Sequence, residues 1–242
     1  MVRPFSFLSV IAICAMAGAC TTTNNAESLA QNDPYEPTNR AIFDMNLSLD
    51  KYFAKPIAEV YNTVVPEPAR DGVHNMLTNM DLPVTFANDV LQGEPLRATQ
   101  TLGRMTINST LGIGGLFDMA THMGIPDHTE DFGQTLGVYG AGEGPFLVVP
   151  LIGPAPPRDL GGKVVDIFFD PFTYARFDGY KTLGYTRAAM DLVDVRARNI
   201  DTLEQIERTS VDFYATQRSL YRQYRNSEIR NGKPDTSDLP EL

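Results

Sequence analysis

Asp33-Pro34-Tyr35-Glu36-Pro37-Thr38-Asn39-Arg40 opens the ordered part of this chain, and the apolar pattern immediately after it decides the fold class. Ile42, Met45, Leu49 and Tyr52 recur at helical spacing, and Phe43, Leu47 and Phe53 widen the apolar stripe. A proline near a helix start is tolerated because first-turn amides have no intrahelical partner. The run predicts a helix that stops at Pro56. Helical spacing then recurs at Glu67–Asn79, in a short segment from Pro83 to Leu91, and from Pro95 to Leu111. It returns from Arg158 to Phe169 and from Thr182 to Ile229. The fold class is mostly α, as a single domain over 33–231.

Between Gly112 and Pro157 glycine and proline are dense, and little regular helix is expected. Within it, the apolar run from Phe146 to Ile152, with prolines at 145, 150 and 154, suits a short strand, an edge hairpin or an inserted loop. Residues 232–242, with Gly232 and Pro234, read as a loose tail.

Upstream of Asp33 the chain is of another kind. Arg3, an apolar run from Phe5 to Ala17 and the small residues Ala17-Gly18-Ala19 before Cys20 read as a secretory signal over 1–19. A cysteine at that point suggests a lipobox, with Cys20 acylated and becoming the N-terminus. Cys14 is the rival acceptor, but Ile13 before it is too bulky for the cleavage pocket. Residues 20–32 then read as a polar, lipidated tether without periodic pattern. Thr21, rather than an Asp, comes after Cys20, so sorting to the inner face of the outer membrane of a Gram-negative bacterium is expected.

Composition narrows the function classes. With 30 acidic against 20 basic residues and a net charge of −10, nucleic acid is not an expected partner. An anionic lipid surface would also repel the chain, so membrane contact must come through apolar burial and the acyl anchor. No later stretch approaches 18 uninterrupted apolar residues. Only two cysteines occur, at 14 and 20, which leaves no disulfide framework and no thiolate metal site in the ordered part.

Catalytic signals are thin. His74, His122 and His128 have no metal-binding helical spacing. His128, in Asp127-His128-Thr129-Glu130-Asp131, could act as a base oriented by a carboxylate, which keeps a lipid hydrolase as one reading. No nucleophile elbow accompanies it, and a loop-fixing hydrogen-bond network accounts for it better. The glycines from Gly137 to Gly144 lack the lysine of a phosphate loop. No enzyme activity, cofactor or metal is expected. Short amphipathic helices, a lipid anchor and apolar residues inside a Pro/Gly loop fit a protein that lies in one membrane leaflet.

Several ordered blocks carry a resemblance. They are the Asp33–Arg40 run with Phe43 and Asn46; Pro66-Glu67-Pro68-Ala69-Arg70-Asp71-Gly72 with Asn75; and Leu91-Gln92-Gly93 with Arg104. Then come the run from Asn108 to Asp118, the run from Asp131 to Gly140, and Gly144-Pro145-Phe146 through Pro150 to Arg158-Asp159. Together they resemble the MlaA (VacJ) family of outer-membrane lipoproteins, over essentially the whole ordered part. The resemblance implies a ring of amphipathic helices in the inner leaflet with a central amphipathic channel. Mislocalised phospholipids would leave the outer leaflet through it and pass to a periplasmic carrier of the MlaC type, preserving lipid asymmetry. Trimeric porins are the implied partners.

A passage for phospholipid needs polar groups inside and an apolar belt outside. Arg158, Asp159 and Asp166, with Asp170 and Gly161-Gly162, fit a channel wall. Leu160 comes next after Asp159, so no run of adjacent carboxylates stands there. Gly112, Gly114, Gly115, Gly137 and Gly140 fit a gate or hinge, because glycine adopts backbone angles other residues avoid. The rival reading is a structural lipoprotein that organises porins without moving lipid.

Overall fold

The computed structural model describes residues 22–233. Signal residues 1–19, Cys14, Cys20 and the tail from 234 lie outside them. Within the described residues the chain is helical apart from turns and one hairpin. The helices are α1 (Ala26–Ala30), α2 (Glu36–Leu49), α3 (Lys55–Val64), α4 (Glu67–Gln92), α5 (Pro95–Thr110) and α6 (Met119–His122). They continue with α7 (Phe132–Val138), α8 (Pro157–Phe169), α9 (Tyr180–Arg198), α10 (Ile200–Thr209) and α11 (Phe213–Ile229). No helix among the described residues is long and apolar enough to cross a membrane.

Four boundaries differ from the sequence reading, each for a local reason. The stretch read as a patternless tether holds α1, capped by the Asn25 side chain accepting from the Glu27 amide. Its Ser28 is buried and donates to Glu36. Pro56 does not stop its helix. A π-helical stretch, Asp50–Ala54, leads straight into α3, the Lys55 amide reaching back to the Asp50 carbonyl, and this wider turn takes up Pro56 without ending the helix. Pro83 likewise does not divide two helices but sits inside α4. It deprives one carbonyl of its partner, and packing against α5 along the helix outweighs that loss. In the C-terminal third, Asn199 and the Ser210–Asp212 corner cut the expected long helix into α9, α10 and α11.

Of the three forms open to the Pro-bounded apolar run, the hairpin is the one present. Val148–Val149 pairs antiparallel with Gly153–Pro154. Two asparagines seven residues apart on one face of α2 hold it. Asn39 donates to the Phe146 carbonyl at 2.9 Å and accepts from the Val148 amide at 3.0 Å. Asn46 donates to the Val149 carbonyl at 3.0 Å and accepts from the Leu151 amide at 2.8 Å. Phe43, on the same face, joins Phe146, Val148 and Tyr214 in a small aromatic core. Beyond this core, α4 packs on α5, α7 on α8, α9 on α3 and α4, and α11 on α7.

Candidate functional site: a polar interior and an amphipathic cavity

Many charged and polar side chains are buried beside the small apolar core, and many large apolar ones are exposed. Buried side chains include Asp33, Asn88, Asp89, Thr101, Arg104, Asp159 and Asp194. Large apolar side chains face outward on every long element: Tyr52, Phe53 and Val60 near α3, Leu96 on α5, Ile167 and Phe168 on α8, and Leu192 and Val195 on α9. Buried charge is costly unless paired and hydrogen-bonded, and here it is paired. Asp33 accepts from Asn39 at 2.8 Å, from Arg218 at 2.7 Å and from Tyr214.

The densest junction joins α7, α8 and α11. Asp159 accepts from Arg158 Nε at 2.9 Å, Tyr221 Oη at 2.7 Å and Arg225 Nη2 at 3.1 Å. Arg225 also grips Asp131, with contacts of 2.5 and 2.7 Å. Burial pushes the Asp159 carboxyl up, but hydrogen bonds from Arg158 and Tyr221 and the charge of Arg225 overcome it and hold it below its usual range. Burial and that same carboxylate push the Tyr221 phenol far up, so it stays a donor.

Asp159 is 2% exposed and its contacts are spent on this junction rather than on open space. Asp166 accepts from Asn88 Nδ2 at 2.9 Å and from the Phe132 amide at 3.1 Å, tying α8 to α4 and to the start of α7. Burial raises its carboxyl. Arg158 stays beside Asp159, and its side chain is 7% exposed.

The glycines separate into two kinds. Gly114 and Gly140 have positive φ with open space around them, and Gly115 has φ 92° against the Asn79 side chain. Gly112 and Gly137 do not. A Cβ on Gly112 would meet the Phe117 carbonyl at 2.1 Å, and Gly137 lies inside α7 against Ile229, not in a loop. Close packing, not backbone freedom, explains Gly137.

His128 is held as a brace. Its Nε2 lies 3.1 Å from both Asp89 carboxylate oxygens and 3.1 Å from Thr101 Oγ1, linking the 127–131 loop to α4 and α5. Arg97 bonds Glu130 beside it. Among the described residues no group of three or more His, Cys, Asp or Glu could hold a metal ion.

An open interior space of about 330 Å³ lies between α4, the turn from Asp170 to Phe177 and α9. One wall is apolar, with Leu77, Phe172, Phe177 and Leu183. The other is charged. Arg187 donates to Asp170 at 2.8 Å and to Asp81 at 2.5 Å, and its guanidinium lies 5.2 Å from the Phe172 ring centre. Asp191 completes the wall. Of the acidic residues named from sequence only Asp170 reaches this cavity. Arg187, Asp81 and Asp191 carry no motif, and nothing in the sequence brings positions 81 and 187 together.

A family model described as MlaA lipoprotein matches residues 31–228. The protein named intermembrane phospholipid transport system lipoprotein MlaA in Haemophilus influenzae is 31% identical over 230 residues, covering 93% of this chain and 90% of the relative. Its Escherichia coli K12 namesake is also 31% identical, over 93% of this chain and 89% of the relative. A solved structure described as the structural basis for maintenance of bacterial outer membrane lipid asymmetry superposes with a TM-score of 0.72. It is 32% identical and covers 81% of this chain and 98% of its own.

Proposed function

This chain belongs to the MlaA lipoprotein family, and from that premise we propose that it is a passage for phospholipids, lying within one leaflet of the outer membrane. One observation carries the reading. Charged and polar side chains make up much of the interior, beside a small apolar core, while many large apolar ones face outward, although no described helix could span a bilayer. Such a body is solvated by acyl chains around its rim and by water or head groups within. The cavity beside Arg187 has one apolar and one charged wall, as a molecule with a charged head and apolar tails requires.

In this reading the chain takes misplaced phospholipid from the outer leaflet and delivers it to a soluble periplasmic carrier of the MlaC type. A trimeric porin steadies it in the leaflet. Acylated Cys20 anchors it, and the open backbone positions Gly114 and Gly140 give the 112–116 and 139–144 turns room to flex. Arg158 and Asp166 act near the passage by setting how α8 meets α7 and α4. Lipid movement here is passive and uses no cofactor.

The test is genetic. Cells lacking the protein should accumulate phospholipid in the outer leaflet, and only the acylatable form, not Cys20→Ala, should restore the barrier. An unchanged outer leaflet in the deletion strain would favour a porin-organising lipoprotein instead.

A further inference from the structure

We infer that a second cavity, beneath α10, binds a single-chain lipid with a free glycerol hydroxyl, a lysophospholipid. It is separate from the Arg187 cavity, and the inference goes beyond the lipid-passage reading without depending on it.

The cavity, about 220 Å³, lies between α2, the hairpin, α10 and α11. Phe43, Leu47, Val148, Leu203 and Phe213 give it apolar walls. Two polar side chains on those walls are incompletely satisfied. Arg196 is 8% exposed and spends Nε and Nη2 on Asp50, at 2.6 and 2.9 Å, while its buried Nη1 has no hydrogen-bond partner. On the α11 side, Gln217 Oε1 is buried and has no partner either. A buried donor and a buried acceptor left unmade each cost free energy. The cavity thus suits an apolar body that accepts a hydrogen bond at one point and donates one at another.

That requirement separates the lipids. A fatty carboxylate accepts from Arg196 but has no hydrogen for Gln217. A two-chain phospholipid has both glycerol hydroxyls esterified, and its second chain has no room in a space already below the about 300 Å³ of small ligand pockets. A lysophospholipid has one chain, an ester carbonyl to accept from Arg196 and a free hydroxyl to donate to Gln217. Its head group stays at the rim, where Lys51 and Lys55 stand paired with Glu207 and Glu204.

α10 forms the cover. It has no buried residue, and the ion pairs that tie it to Lys51 and Lys55 are partly exposed, so they hold it weakly. Helix breaks at Asn199 and at Ser210–Asp212 leave it free to lift, admit a chain and settle on it.

The probe is a lysophosphatidylethanolamine with a diazirine in its chain, irradiated with the full acylated protein in phosphatidylcholine nanodiscs. Adducts are mapped by mass spectrometry and should fall on peptides carrying Phe43, Leu203 and Phe213. A two-chain phosphatidylethanolamine with the same diazirine should not label them. Unlabelled lysophosphatidylethanolamine should displace the probe about fivefold better than palmitate, the scale of one hydrogen bond. Gln217→Leu, which removes the acceptor, should bring palmitate level with the lysophospholipid. Leu203→Trp, which fills the cavity from a helix with no buried residue, should abolish the adducts. Gln223→Leu, the same change at an exposed position of α11 away from the cavity, should leave them unchanged.

Equal displacement by palmitate in the wild type overturns the lysophospholipid assignment. Adducts that persist in Leu203→Trp, or vanish equally in Gln223→Leu, overturn the site. No adducts on these peptides in the wild type overturn both and leave water as the occupant. None of these outcomes alters the outer-leaflet phenotype on which the passage reading stands.

Discussion

Gly162 and Gly133 meet so closely that a Cβ on Gly162 would lie 2.3 Å from the Gly133 backbone nitrogen. That approach lets α8 cross α7, and it brings Asp159 under Arg225, whose Nη2 would itself lie 2.6 Å from a Cβ on Gly133. Gly162→Ala should therefore separate two backbones rather than nudge a side chain. We expect a loss of about 3 kcal/mol, at the upper end for overpacking, read as a lower urea midpoint. Gly161→Ala, with open space at its Cβ, should lose nothing and gain slightly from helix propensity.

Arg225→Met removes the cation shared by Asp131 and Asp159. Asp159 keeps Arg158 and Tyr221 and Asp131 is partly exposed, so denaturant unfolding at pH 7 should show a loss of about 1.5–3 kcal/mol, the scale of a lost hydrogen bond to a charged group.

The acid limb of stability has its origin in the same junction. The folded Asp159 carboxyl lies below its ordinary value of 3.8. Its contribution is thus complete above that value and is lost as pH falls through the lower folded value. Urea midpoints measured from pH 6 down to pH 2 should drop in the wild type. The drop should be shallower in Asp159→Asn, which has no charge to lose.

Asp191 has the opposite sign. Its folded carboxyl is raised above 3.8, so ionisation costs stability at neutral pH, and that cost disappears below the unfolded value. Asp191→Asn should raise the thermal midpoint by about 1–2 °C at pH 7, the scale of an exposed substitution, and by nothing near pH 3. A lower midpoint at pH 7 would mean that the attraction of Arg187, His74 and Lys163 outweighs the burial.

Asn39→Ala unties Asp33, the Phe146 carbonyl and the Val148 amide at once. Buried groups left unsatisfied cost about 1–3 kcal/mol each, less where water can enter. The expected outcome is a loss of at least about 2 kcal/mol, with faster amide exchange at Val148 than at residues of α5.

Much of this fold is legible in the chain because helix periodicity is local. The stripes on α2, α4, α5 and α8 and the hairpin-forming run at 146–154 can be read from residues within a few turns. The errors also have local causes. Pro56 and Pro83 read as helix stops, since proline removes a donor. Neither stops its helix, because the π-helical turn before it takes up Pro56 and packing carries α4 past Pro83. Asp159 is legible as important but not as a junction, because its partners Tyr221 and Arg225 lie more than sixty residues away.

The sequence by itself determined the helical class and the family. An amphipathic stripe, however, does not say which face is inside. In a water-soluble domain the apolar face would turn inward, and only the tertiary structure shows charge buried and Phe168, Leu192 and Val195 turned out. The same holds for the cavity, where Asp81 and Arg187 meet across 106 positions of chain. Pairing of buried charge depends on distances that exist only once the helices have packed, so it leaves no mark on local spacing.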